Sequence, residues 1–215
     1  MKKLLILGML AALACAAYAY PTLGGPTGLV TVPDATVVPT GQLQIAVDWW
    51  NLESDDAIIP LRLLYGVNDS LELGATFTTS EATGSDDVWS INAKFVTPLQ
   101  LADSTMAVGA SYAQDGDDVL TVYGALSKEF NENFAGTAAL QWDDATEDFM
   151  LGIGGKATLD NGLILVGEYV NAMPGAAVNF AARYPLTDAL TAQIGVINAL
   201  DSVTIGLNYA FGVAE

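Results

Sequence analysis

Residues 42–49 read QLQIAVDW, in which larger apolar side chains alternate with polar or small ones. Side chains of a β-strand point to opposite faces in turn, so one face of this strand would carry all the larger apolar residues: Leu43, Ile45, Val47 and Trp49. The same pattern returns along the chain, for example as LELGATFT at 71–78 and VTIGLNYAF at 203–211. The sequence therefore predicts an all-β protein.

We count twelve such segments between residues 42 and 211. Each has about 8–10 residues, close to the length with which a tilted strand crosses a bilayer. The phase of segment 119–128 is ambiguous, because Val119 and Tyr123 form one candidate outer face and Leu120 and Val122 form the other. The count falls to ten if this middle region is misassigned.

The connections between the segments are of two kinds that alternate. Those after even-numbered strands are short and rich in Asn, Asp and Gly, which tolerate the positive φ angles of tight hairpins. Those after odd-numbered strands contain neither Lys nor Arg, and most are acidic: 51–57, 80–87, 114–118, 143–148, 171–176 and 198–201. This alternation predicts an up-and-down meander with two chemically different ends.

The second face of the strands is mostly Gly, Ala, Ser, Thr, Asn and Gln, with about one charge per strand. A soluble sheet would show a charged outer face, whereas small polar residues suit the lumen of a barrel in lipid. Aromatic residues near the strand ends fit interfacial girdles. We predict a closed, antiparallel, up-and-down transmembrane β-barrel over 42–211, with a tail at 212–215.

The first nineteen residues have the pattern of an export signal. Lys2 and Lys3 precede the apolar stretch 4–16, and the small residues Ala17 and Ala19 mark a cleavage site before Tyr20. Cys15, the single cysteine, lies inside this stretch, and its lipidation is a minority interpretation. The predicted location is the bacterial outer membrane, with membrane lipid as the surrounding partner.

The composition of the 215 residues excludes several functions. Seven bases stand against 25 acids, so the chain is unsuited to nucleic acid. The absence of histidine removes the commonest general base and the Ser-His and Cys-His nucleophile pairs. We expect no enzyme; an enzyme that uses carboxylates alone ranks third among the alternatives.

Paired carboxylates occur in the predicted acidic connections. We interpret them as a solvated rim, with weak Ca²⁺ binding as a second interpretation because Ca²⁺ favours clustered carboxylate oxygens. No other cofactor is expected. The candidate residues are Asp55, Asp56, Asp86, Asp87, Asp115, Asp117, Asp118, Asp143 and Asp144.

A group of charges is predicted to line the lumen close to the short turns. All five bases beyond the export signal fall on even-numbered strands, and two acids lie on adjoining strands: Arg62, Lys94, Lys128, Lys156 and Arg183, with Glu72 and Glu168. One interpretation is structural, with ion pairs joining Arg62 to Glu72 and Lys156 to Glu168 across the wall. The other is a basic belt that sets the ion selectivity of a pore.

Residues 20–41 form a separate Pro/Gly-rich segment that is too apolar to be left in water. It is either a plug at the barrel mouth or an ordinary periplasmic leader. The run 25–35, GPTGLVTVPDA, continued by PTGQ at 39–42, resembles the start of YjbH-like outer-membrane barrels, which are associated with exopolysaccharide and capsule gene sets. The last strand, 203–211, resembles the signal that the barrel-assembly machinery recognises.

Together these features predict a non-enzymatic outer-membrane barrel. Its role would be a small porin-like channel or an envelope-structural protein. The resemblance adds an accessory part in polysaccharide export. The alternative is a secreted, soluble all-β binding or adhesin-like module.

Overall fold

The computed structural model describes residues 19–51, 57–81, 87–115, 117–172, 175–198 and 201–212. Within these ranges no helix has the length and apolarity that a bilayer crossing requires. The described residues form twelve strands: β1 Leu43–Asn51, β2 Ala57–Asn68, β3 Leu71–Ser80, β4 Val88–Leu101, β5 Ser104–Asp115, β6 Asp117–Asn131, β7 Phe134–Asp143, β8 Phe149–Thr158, β9 Ile164–Ala172, β10 Gly175–Pro185, β11 Leu190–Ile197 and β12 Ser202–Phe211.

The strands close into one antiparallel barrel in chain order. Closure is made by β1, in which Leu43 lies opposite both Tyr65 of β2 and Phe211 of β12. Every strand therefore has two neighbours and no edge is left unpaired, which is the condition for β-structure in lipid. The predicted twelve-stranded up-and-down barrel is confirmed, and the count of ten is excluded.

The period-two alternation separates an apolar outer wall from an inner face on which small and polar residues are common. On β4, Ile91 is 53% exposed on the outer wall, whereas its neighbour Asn92 is 6% exposed and faces inward. In β6, whose phase was ambiguous, Tyr123 is buried inside and Val122 lies on the outer wall. The second of the two candidate faces is therefore the outer one.

The end of the barrel that carries the short turns is as the connections predicted. At one end the strands are joined by short turns, including Ala102–Asp103, where both residues have positive φ. The chain enters β1 at this same end, where the Gly41 N–H donates to the Gly66 carbonyl over 2.7 Å.

Residues 19–39 lie inside the barrel wall and add no strand to it. They form two small loops, each closed by an isolated bridge, between Pro21 and Thr27 and between Gly28 and Pro33. Leu29, Val30 and Val32 are almost fully buried, and they cluster with inward-facing side chains of β6, β7, β9, β10 and β11. The apolar core of the molecule is thus built around this segment.

Inward-facing glycines of β8 leave the space that the segment fills. A Cβ at Gly154 would come within 2.7 Å of the Leu29 side chain, and one at Gly152 would overlap the Val32 side chain. The small residues of the lumen face therefore accommodate the side chains of the segment.

Candidate functional site

The main contact between wall and segment is a carboxylate on β9. Glu168 is buried, and it accepts hydrogen bonds from the N–H groups of Val30, Thr31 and Val32 at 2.8–3.2 Å. The Thr31 hydroxyl and the Asn179 amide also donate to it. Successive N–H groups that converge on one anion form a nest, here with a glutamate as its occupant.

A second carboxylate binds the segment from the opposite part of the wall. Glu72 of β3 accepts from the Thr27 N–H at 3.0 Å and from the Val38 N–H at 2.9 Å. Lys94 of β4 lies 3.6 Å from this carboxylate and donates to the Thr27 carbonyl. Glu72 and Lys94 are both fully buried, and a buried charge needs partners, which here are the other side chain and the segment.

Two arginines bind carbonyl groups of the segment. Arg183 of β10 donates to the Gly28 carbonyl at 3.1 Å and to the Leu29 carbonyl at 2.5 Å, and its guanidinium lies 4.3 Å from the centre of the Tyr20 ring. Arg62 of β2 donates to the Thr22 carbonyl at 2.9 Å. A guanidinium has only donors, so these carbonyls are suitable partners for it.

The segment contributes one carboxylate of its own. Asp34 is buried between Lys156, 3.3 Å away, and Lys94, 4.0 Å away. Burial by itself would raise its pKa, but the two ammonium groups and hydrogen bonds from Thr36 outweigh this effect and hold the pKa of Asp34 below its usual value. Asp34 is therefore charged, and it ties the segment to β4 and β8.

Of the seven predicted lumen charges, Lys128 lies elsewhere. The phase of β6 directs Ser127 inward, where its hydroxyl accepts from the Ala35 N–H, and turns Lys128 away. The Lys128 side chain is 37% exposed, donates to the Ala102 carbonyl and lies 3.9 Å from Asp103. The prediction that Lys128 lines the lumen is wrong, because the even-numbered residues of this part of β6 face outward.

The ion pairs also differ from those expected from the spacing. Arg62 pairs with Asp48 of β1, Lys94 lies beside Glu72, and Lys156 pairs with Asp34. Glu72 lies directly opposite Lys94 in the register of β3 and β4, whereas Arg62 lies opposite Ala46 and reaches Asp48 diagonally. Lys156 reaches the internal segment instead of a neighbouring strand.

Sequence reasoning missed two acids, Asp34 and Asp48. Asp48 also accepts from Gln193 and Thr204, so it joins β1 to β11 and β12. Its position as the single charge on the inner face of 42–49 was the signal that could have identified it.

The predicted acidic rim is only partly described. Asp55, Asp56 and Asp86 lie outside the described residues, Asp87 and Asp118 are exposed, and Asp115 and Asp117 occupy facing positions at the ends of β5 and β6. The other two carboxylates shape their own surroundings, since Asp143 accepts from the N–H groups of its turn and Asp144 accepts from the Leu120 N–H. In the described part of the chain no three acids form a group that could hold a metal ion. Calcium binding stays a prediction.

Solved structures of two porins and of an outer-membrane protein have a similar fold. The KdgM porin matches with a TM-score of 0.64 and 10% identity over 79% of this chain and 99% of that chain. The fold is that of an outer-membrane porin. The NanC porin matches with a TM-score of 0.62 and 12% identity over 78% of this chain and 98% of that chain. Omp33 of Acinetobacter baumannii matches with a TM-score of 0.56 and 13% identity over 80% and 97%.

No family model and no curated protein sequence matches the chain. At identities near 10% the structural similarity concerns the fold alone. The YjbH-like resemblance of residues 25–35 accordingly remains a prediction.

Six of the seven predicted charges therefore surround residues 19–41 and bind either the main chain of this segment or its Asp34 side chain. The acids take N–H groups or ammonium groups, and most of the bases take carbonyl groups. In this arrangement the charged side chains of the lumen have their hydrogen-bond and ion-pair partners within the protein's own chain.

Proposed function

We propose that the protein is a small, non-enzymatic, porin-like channel of the bacterial outer membrane, and that residues 20–41 close its lumen in the conformation described. The porin fold supports a channel, and the polar lining supports a path for hydrated solutes. The observation that carries the proposal is the attachment of one internal segment to the wall at Glu72, Glu168 and Arg183. Such a segment blocks the lumen while bound and opens it when released.

The test is conductance in a planar bilayer. Thr31 and Asn179 face each other, with 3.4 Å between the hydroxyl and the amide nitrogen. In the T31C/N179C variant, cleavage of the export signal would leave these two as the only thiols. A short bis-methanethiosulfonate cross-linker, which forms a disulfide with each cysteine and releases sulfinate, should hold the channel silent, and reduction of the disulfides should restore its openings. Deletion of residues 20–38 should give sustained current.

A matched control attaches the same cross-linker away from the segment. In an L140C/L151C pair, the two cysteines lie directly opposite each other on β7 and β8 and face the outer wall, so linking them should leave the current unchanged. A deletion variant that assembles, migrates heat-dependently on a gel and never conducts would contradict the channel proposal.

A structural barrel is the second candidate. It is favoured by the burial of three charged side chains, each of which has a partner in the wall or in the segment: Arg62, Lys94 and Glu72. This candidate predicts that removal of 20–38 lowers the stability of the barrel without producing current. The same bilayer recording therefore decides between the two.

We extend the proposal to an accessory role of this barrel in polysaccharide export. It is supported by the resemblance of residues 25–35 to YjbH-like barrels. A deletion strain whose secreted polysaccharide is unchanged in amount and length would contradict it.

A further inference from the structure

The inner wall recognises the segment chiefly through its main chain. Glu72 and Glu168 accept from five backbone N–H groups, and three bases donate to four backbone carbonyls. These are groups that any polypeptide offers. The wall of the lumen thus has the chemistry of a peptide-binding site, with fixed acceptors and fixed donors.

The shape of the bound loop makes this recognition selective. The loop 28–33 brings Gly28 against Pro33, and a Cβ at Gly28 would lie 2.7 Å from the Pro33 Cα and 2.7 Å from the Thr22 Cγ2. The carbonyl of Val32 would be closer still. Glycine is therefore required at position 28, and the apolar residues that follow it fill the space beside β8.

The segment is joined to the barrel at one end by an exposed stretch. Thr40 and Gly41 are exposed, and residue 42 is already at the start of the wall. Apart from this connection, the described part of the segment is held by non-covalent contacts.

We propose that the lumen is a binding site for a turn-forming peptide, that residues 20–38 are its resident ligand, and that the emptied site takes up the same peptide from solution. The inference rests on the proposed function only in that the segment must be able to leave the lumen. Binding and conductance are measured separately, so each proposal can fail without the other.

The experiment starts from the folded full-length protein. A protease site is inserted between Thr40 and Gly41, the barrel is purified in mild detergent, and it is then cut. A fluorescently labelled synthetic peptide of residues 20–38 is added in excess, and the barrel is separated by gel filtration. We expect the labelled peptide to replace the released fragment, one peptide for each barrel, and the uncut barrel to capture none.

Substitutions in peptide and wall test whether capture uses the contacts described. The G28A peptide should bind at least tenfold more weakly, whereas the G24A peptide should bind normally because a Cβ at Gly24 meets nothing closer than 3.9 Å. In the wall, R183Q should weaken capture about tenfold or more, the effect expected for loss of two charge-assisted hydrogen bonds. K128Q is the matched control, since Lys128 lies away from the segment.

Three results would overturn the inference. They are a cut barrel that captures no labelled peptide, a fragment that never exchanges, and equal capture of the G28A and G24A peptides. The peptide variants leave the barrel unchanged, so the test holds even if R183Q fails to fold. A barrel that captures peptide but never conducts would support the inference and contradict the channel.

Discussion

Replacement of Glu168 by glutamine should release the loop 28–33 from the wall. The Oε2 atom of Glu168 accepts from both Val30 and Val32, and Oε1 accepts from Thr31 and Asn179. Glutamine keeps one acceptor oxygen and presents an NH₂ group in place of the other. With the oxygen placed at Oε1, the Val30 and Val32 N–H groups lose their partners inside the lumen.

The expected cost follows from these two donors. A buried donor without an acceptor costs about 1–3 kcal/mol, so E168Q should lower the free energy of opening the loop by about 2–6 kcal/mol. The amide hydrogens of residues 30–32 should then exchange at least about thirtyfold faster. Hydrogen exchange followed by mass spectrometry of the peptide that spans the loop measures this directly.

E129Q is the matched control for E168Q. Glu129 of β6 is exposed, so its substitution should leave exchange in the loop unchanged. If E168Q and E129Q give the same exchange rates at residues 30–32, the carboxylate nest does not hold the segment and the reasoning fails.

Three further predictions concern pH, topology and selectivity. Because Lys156 and Lys94 depress the pKa of Asp34, protection of the amide hydrogens of residues 34–36 from exchange should be constant above about pH 5 and fall below about pH 4. The fall should be at most about 1.4 kcal/mol per pH unit. Hydrogen exchange corrected for intrinsic rates measures this dependence, and the same dependence in a D34N variant would refute the reasoning. With the short turns in the periplasm, a tag in the link 82–86 should be labelled on intact cells and one beside Asp69 should not, and the reverse pattern would overturn the orientation. In a barrel without residues 20–38, substitution of the four inward-facing bases by glutamine should move the reversal potential in a salt gradient towards cation preference. The four bases are Arg62, Lys94, Lys156 and Arg183. An unchanged reversal potential would show that these residues do not set the ion selectivity.

The strands were predictable because each repeats a local rule. Alternation along β1, β3 and β12 assigned the inner and outer faces without any knowledge of neighbours, since a strand in a barrel wall has lipid on one side and the lumen on the other. Where the rule was weak, it failed. Both faces of β6 are partly apolar, and Lys128 was placed in the lumen although it lies outside.

The partners of the charges were not predictable from spacing. The order of strands places Arg62 near Glu72, but Arg62 pairs with Asp48 from the strand on its other side. A residue in a barrel has two neighbouring strands, and the register on each side decides which of them supplies its partner.

The sequence by itself determined the all-β class, the closed meander, the two unlike ends and the presence of charges on inward faces. These are consequences of a two-residue period and of turn chemistry, both of which act over a few neighbouring residues. Only the tertiary structure decided that Glu72 and Glu168, nearly a hundred residues apart, bind one internal segment from different parts of the wall. Closure of the barrel brings distant strands around a common lumen, and no local pattern in the sequence records which main-chain groups will meet there.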